Sequence, residues 1–236
     1  MHGITKLAAA SAALLLLAAP ALAETRTIEL PAFTALDVSS GIDAVVTVGG
    51  TQSITAEATD KRLLDDLKLK VEGNTLKAYY DWSFFDLFAF GNRDQIKLTI
   101  AVPALTKVEA SAGSDVEATG VTGDALEFNS SSGADLSLKA VAGKSIDLNA
   151  SSGAGLEIEG TCETGTANAS SGSDLEADDL LCVTMDANAS SGSDLDAYAS
   201  KSVKANASSG SDLTIHGNPA EVEQESSSGS DVKIEK

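Results

Sequence analysis

The hexad "SSGSDL" occurs at Ser170–Leu175, Ser190–Leu195 and Ser208–Leu213. A chain that writes one short block repeatedly restricts its fold more than any single residue can. Variants extend the series: "SAGSDV" around Gly113, "SSGADL" around Gly133, "SSGAGL" around Gly153 and "SSGSDV" around Gly229. Successive central glycines lie 20, 20, 19, 20, 18 and 19 residues apart. A period near twenty means one structural unit per repeat, packed on its neighbours.

Aligning the repeats on the glycine exposes a two-residue alternation, the period of β-strands. Three residues after the glycine stand Val116, Leu136, Leu156, Leu175, Leu195, Leu213 and Val232. On the opposite parity, Asn129, Asn149, Asn168, Asn188 and Asn206 stand four before it, and Asp115, Asp135, Asp174, Asp194, Asp212 and Asp231 two after it. A strand, a bend at Ser-Ser-Gly, a second strand and a looser return turn ("EGTCETG", "YASKS", "HGNPA") make one coil. One coil has too little apolar surface to stay folded, whereas a stack buries that surface continuously. The expected fold is all-β: a right-handed parallel β-helix over residues 105–236 with coils of about 19 residues, the hand following the usual connection of parallel strands. With rungs about 4.8 Å apart, seven coils extend roughly 30 Å. Glycine tolerates positive φ at the bend, Ser and Ala keep the corner thin, and asparagines in register can hydrogen-bond along the axis.

Residues 24–104 are expected to start and cap the same solenoid irregularly. "DVSSGIDAVVTV" carries one more corner, Ser39-Ser40-Gly41. Strand patterns at Val45–Val48 and Ser53–Ala58 flank Gly49-Gly50, which reads as a hairpin turn. Asp60 or Thr59 caps a short helical turn carrying Leu63, Leu64 and Leu67, and Lys68–Val71 pairs with Thr75–Tyr79 about Gly73-Asn74.

Several segments in this order resemble one family. They are a Phe33-to-Ile42 entry, the Leu63–Leu67 segment, the Gly73-Asn74 hairpin, "IKLTIAVPAL" from Ile96 to Leu105, and the serial Ser-Gly-x-Asp corners. The chain resembles the head GIN domain family of bacterial putative autotransporter adhesins over nearly all of its length after residue 23. That resemblance implies a right-handed parallel β-helix outside the cytoplasm and supplies no catalytic residues. No membrane β-barrel follows in this sequence, so "adhesin" enters as a family label.

Residues 1–23 read as an export signal: Lys6 gives a positive start, Leu7–Ala19 an apolar run, and Ala21-Leu22-Ala23 a small-residue cleavage site. After cleavage no apolar run approaches the length of a transmembrane helix. The expected location is outside the cytoplasm: periplasmic, secreted or surface-associated. Asp and Glu number 35 against 16 Lys and Arg. That balance excludes nucleic acid as a partner, since phosphate binding needs a basic surface.

Three features could carry chemistry. "YYDWSFFDLFAFGNRD", Tyr79–Asp94, holds seven of the ten aromatics. It reads as a plug over an end of the stack or as a contact surface, with Trp82, Phe84, Phe85, Phe88 and Phe90 as the binding candidates. Asp174, Asp194, Asp212 and Asp231 form a carboxylate column whose mutual repulsion a Ca²⁺ ion would relieve; solvated corner capping is the alternative, and no other cofactor is expected. Cys162 and Cys182 lie one coil apart, within reach of a disulfide in an oxidising compartment.

Catalysis is not expected. Every arginine precedes the regular coils, no loop insertion separates the environments of two carboxylates, and no nucleophile has a histidine partner. The expected function is an exported, non-catalytic structural or binding module of the bacterial cell envelope, engaging a glycan or another envelope protein. A Ca²⁺-stabilised solenoid and a carbohydrate-active enzyme are the alternatives.

Overall fold

The structure is a computed structural model that describes residues 24–80 and 96–235. Residues 1–23, read as the export signal, and 81–95, which hold Trp82 and the four candidate phenylalanines, lie outside the described residues. Strand accounts for 71% of the chain and helix for 3%, arranged as a β-solenoid of about six turns.

The strands before the regular coils are β1 (Glu24–Ile28), β2 (Ala35–Val38), β3 (Asp43–Val48) and β4 (Ser53–Ala58), then helix α1 (Lys61–Asp66), β5 (Leu67–Glu72), β6 (Thr75–Tyr80) and β7 (Ile96–Val102). The coils follow as β8 (Lys107–Ser111), β9 (Asp115–Thr119), β10 (Thr122–Ser131), β11 (Asp135–Ser151), β12 (Gly155–Ser170), β13 (Asp174–Ser190) and β14 (Asp194–Ser208). The last are β15 (Asp212–His216), β16 (Glu221–Ser226) and β17 (Asp231–Ile234).

Parallel pairing stacks the coils into two walls. Before each Ser-Ser-Gly corner, one wall runs from β2 through β8, β10 and the C-terminal halves of β11–β14 to β16. After the corner, the other runs from β3 through β9 and the N-terminal halves of β11–β14 to β15 and β17. Register is residue for residue: Leu136 lies against Leu156, Leu156 against Leu175, Leu175 against Leu195 and Leu195 against Leu213. These leucines are all buried, and each fully buried leucine contributes about 1.5–3 kcal/mol relative to exposure.

The corner is more demanding than a lone glycine bend. Ser171 (φ 58°) and Gly172 (φ 68°) are both left-handed, and the pattern recurs at Ser152-Gly153, Ser191-Gly192 and Ser209-Gly210. Two consecutive positive φ values are what a type I′ turn requires. A Cβ at Gly172 would meet no atom within 4 Å, so glycine stands there for its backbone conformation and not for space. The corner amides stay in the ladder: Ser171 N–H donates to Ser190 O and Gly172 N–H to Ser191 O of the next coil, at 3.3 and 3.2 Å.

Two expectations change. The "EGTCETG" and "YASKS" returns are strand, because β11–β14 run 15–17 residues continuously from one wall into the other. Differences in coil length are absorbed there as register shifts, after Leu138, Glu157 and Ala177, so the corners stay in phase. The hairpin expected at Gly49-Gly50 does not form either. Both edges of β3 are taken by the parallel strands β7 and β9, and β4 instead pairs antiparallel with the far edge of β7. The Gly73-Asn74 hairpin of β5 and β6 is present, and Asp60 caps α1 by accepting from Arg62 N–H.

Gly172→Ala is expected to cost about 1–2 kcal/mol, the left-handed penalty of a residue with a Cβ, even though its methyl group has free space. Ser171→Gly, one residue earlier, should cost less than that or stabilise. Urea denaturation midpoints of the two variants check the order.

Candidate functional site

The corner places a third serine inside the solenoid. Ser173, Ser193 and Ser211 are fully buried, because they share the parity of Leu175, Leu195 and Leu213. Each hydroxyl accepts a backbone N–H three residues earlier and donates to a carbonyl of the preceding coil, Ser173 to Ala150 O at 3.0 Å and Ser193 to Ala169 O at 3.0 Å. A buried hydroxyl left unbonded would cost about 1–3 kcal/mol; here each instead ties two rungs together. These residues were missed as core positions in the sequence, where the only signal was their place in the alternation.

Outside, the wall before the corner carries an asparagine ladder. Asn149 donates to Asn129 at 2.9 Å, Asn168 to Asn149 at 3.0 Å, Asn188 to Asn168 at 3.1 Å and Asn206 to Asn188 at 2.9 Å. Every member is half-buried, and each amide orientation is fixed by its predecessor. The result is a flat, rigid, polar strip with one identical group per rung. Beside it an open trough of about 510 Å³ runs across four coils, bordered by Thr166, Asp186, Lys204 and Glu223.

The wall after the corner is acidic. Asp174, Asp194, Asp212 and Asp231 lie in register on successive strands, as the sequence indicated, and all are exposed. Gly155 interrupts the column, and a Cβ there would come within 2.5 Å of Asp135 Oδ1, so the Asp135 carboxylate leans over the gap. Partial burial, and then Asp174, Asp212 and Asp196, push the Asp194 carboxyl above its ordinary range. Burial and then Asp135 do the same to Asp115, and burial followed by Glu157 to Glu176. Among the described residues, no group of three or more His, Cys, Asp and Glu side chains is drawn together as metal ligands.

Cys162 and Cys182 form a disulfide with a Cα–Cα distance of 4.4 Å. They face each other across β12 and β13 and are buried, inside the wall and not on an exposed turn. The five aromatic candidates lie outside the described residues.

A family model described as "Putative auto-transporter adhesin, head GIN domain" matches residues 32–219. The chain belongs to the head GIN domain family. Solved structures share the fold of this head GIN protein. A putative adhesin from Bacteroides fragilis has a TM-score of 0.83 at 18% identity, covering 91% of this chain and 97% of that one. A putative lipid binding protein from Parabacteroides distasonis scores 0.68 at 17% identity, and a putative adhesin from Parabacteroides merdae 0.68 at 14%. Each of these two also aligns over 91% of the head GIN chain, and over 97% and 96% of its own length respectively. No curated protein matches the sequence. No helix among the described residues is long and apolar enough to cross a membrane.

The raised carboxyl of Asp194 sets a pH dependence. The folded chain holds this proton to higher pH than the unfolded chain does. The contribution to stability is therefore complete below the ordinary value of 3.8 and is lost as pH rises through the raised value. Asp194→Asn is expected to raise the melting temperature near neutral pH, with the gain vanishing at acid pH and shrinking in high salt. Melting curves of wild type and variant across pH check this.

Proposed function

We propose that this head GIN protein is an exported, non-catalytic binding and structural module of the bacterial cell envelope. Its flat polar wall engages an extended partner, a glycan or another envelope protein. The asparagine ladder carries this reading. It presents the same amide at each rung, held rigid by its own hydrogen bonds, so an extended polar chain laid along the axis meets pre-organised donors and acceptors at little entropic cost. The export-signal pattern of residues 1–23 and the buried Cys162–Cys182 disulfide support an oxidising compartment outside the cytoplasm. The adhesin names of the Bacteroides fragilis and Parabacteroides merdae neighbours agree with a binding role. The lipid-binding name of the Parabacteroides distasonis protein is less well matched, since among the described residues the exposed large apolar ones are only Leu181, Val183 and Val222, too few to form a lipid surface.

Probing an array of envelope glycans and envelope protein extracts with the purified protein tests the proposal. Asn168→Ala with Asn188→Ala is expected to weaken the retained partner by about tenfold or more while the chain stays folded by circular dichroism. Unchanged binding would leave the ladder a purely structural device. Trp82 is the only tryptophan, so a shift of its emission on binding would assign the contact to the aromatic segment instead. A melting temperature raised by Ca²⁺ and lowered by a chelator would favour the calcium-stabilised reading over this one.

A further inference from the structure

The wall that carries the asparagine ladder has two open edges of opposite charge. At its N-terminal end the outermost strand is β5, "LKLKVE", which pairs with β6 on one side and with no described strand on the other. Leu69 and Val71 lie opposite the core residues Ala78 and Leu76, so Lys68, Lys70 and Glu72 project from the outer face, where Glu72 pairs with Lys70 at 2.7 Å and leaves the strand with one net positive charge. At the C-terminal end the outermost strand is β16, "EVEQES", which pairs with β14 and with no other described strand. Glu221, Glu223 and Glu225 lie in register with Ser202, Lys204 and Asn206 on that same outer face. Val222, on the inner parity, is 44% exposed because no further rung covers it.

We infer that the protein joins head to tail with a second copy of itself, the β16 edge of one copy accepting the β5 edge of the next as an added antiparallel rung. Antiparallel pairing sets Glu221 against Lys70 and Glu223 against Lys68, with Val222 meeting Leu69 between them. Opposite charges directly across a strand pair stabilise, and like charges destabilise. The self-pairings are less well matched: two β16 edges would oppose glutamate to glutamate, and two antiparallel β5 edges centred on Lys70 would set Lys68 against Glu72 but lysine against lysine between them. Charge thus selects the heterologous joint, in which each copy keeps one acceptor end and one donor end free, so the assembly is open and concentration-dependent. On the other wall β1 stands beyond β4 and β7, three rungs outside β3, whereas β5 stands two rungs outside β2, and at the opposite end β15 and β17 give that wall two rungs after β14 against one for β16. Joined copies are accordingly inclined to one another and not collinear.

Sedimentation equilibrium of the purified chain from micromolar to millimolar concentration tests this, with two end-reversed variants. Wild type is expected to gain mass with concentration at low salt and to lose it as salt rises. E221K/E223K alone and K68E/K70E alone should remain monomers, while their equimolar mixture assembles again as an alternating chain, since each variant's β16 edge matches the other's β5 edge. Because the mixture and the combined four-site reversal each restore a matched joint, loss of assembly through misfolding is distinguished from loss of the joint. A wild type that stays monomeric throughout, assembly that survives reversal at either end, or a mixture that remains monomeric would overturn the inference.

Discussion

The corner hydrogen bonds are the constraint on which the other layers of this structure rest. At Ser171-Gly172 the chain turns through two left-handed residues, yet both amides still bond the next coil. A bend that kept its amides to itself would end the ladder at every coil. Here the ladder passes through the bend, so adjacent coils cannot slide without breaking bonds in both walls and at the corner together. One residue of slip would also exchange the leucine column for the aspartate column, since strand side chains alternate with a period of two. Variable coil length is tolerated only on the far side, where β11–β14 absorb it as register shifts.

Much of this was legible in the chain, and what was not had a physical reason. The leucine and asparagine columns follow from period-two alternation repeated at fixed spacing. The disulfide follows because the separation of Cys162 and Cys182 equals one coil. The β5–β6 hairpin was legible because Gly-Asn is local turn chemistry. The left-handed serines were not: serine has no strong preference for that region, and only the cooperative bonding of the stack holds it there. Nor was the insertion of β7 between β3 and β4, because Gly49-Gly50 signals a turn without saying which distant strand competes for the edge. Ser173 looked like corner filler, although its parity with Leu175 already placed it inside.

The repeat produces two unlike surfaces from one internal design. The asparagine wall is neutralised by its own hydrogen bonds and therefore rigid. On the aspartate wall, burial and then repulsion between neighbouring carboxylates raise the Asp194 and Asp115 carboxyls, which opposes folding at neutral pH. The stack is stabilised elsewhere, by the enclosed aliphatic columns, the buried serine bonds and the Cys162–Cys182 link. The N-terminal segment differs in kind: Arg26 bonds both Leu64 O and Asp65, tying β1 to α1 and covering that end of the core. On the asparagine wall the last rung, β16, has its whole length exposed.

The most direct measurement of residue-for-residue stacking is engineered crosslinking between adjacent coils under mild oxidation. Asp194→Cys with Asp212→Cys puts two thiols at in-register positions on β14 and β15, as the native pair is on β12 and β13, and a disulfide should form rapidly in the folded monomer. Asp194→Cys with Thr214→Cys displaces one thiol by two residues along the strand and should stay largely reduced. Equal crosslinking of the two pairs, or faster closure of the displaced one, would contradict the register from which both walls are built.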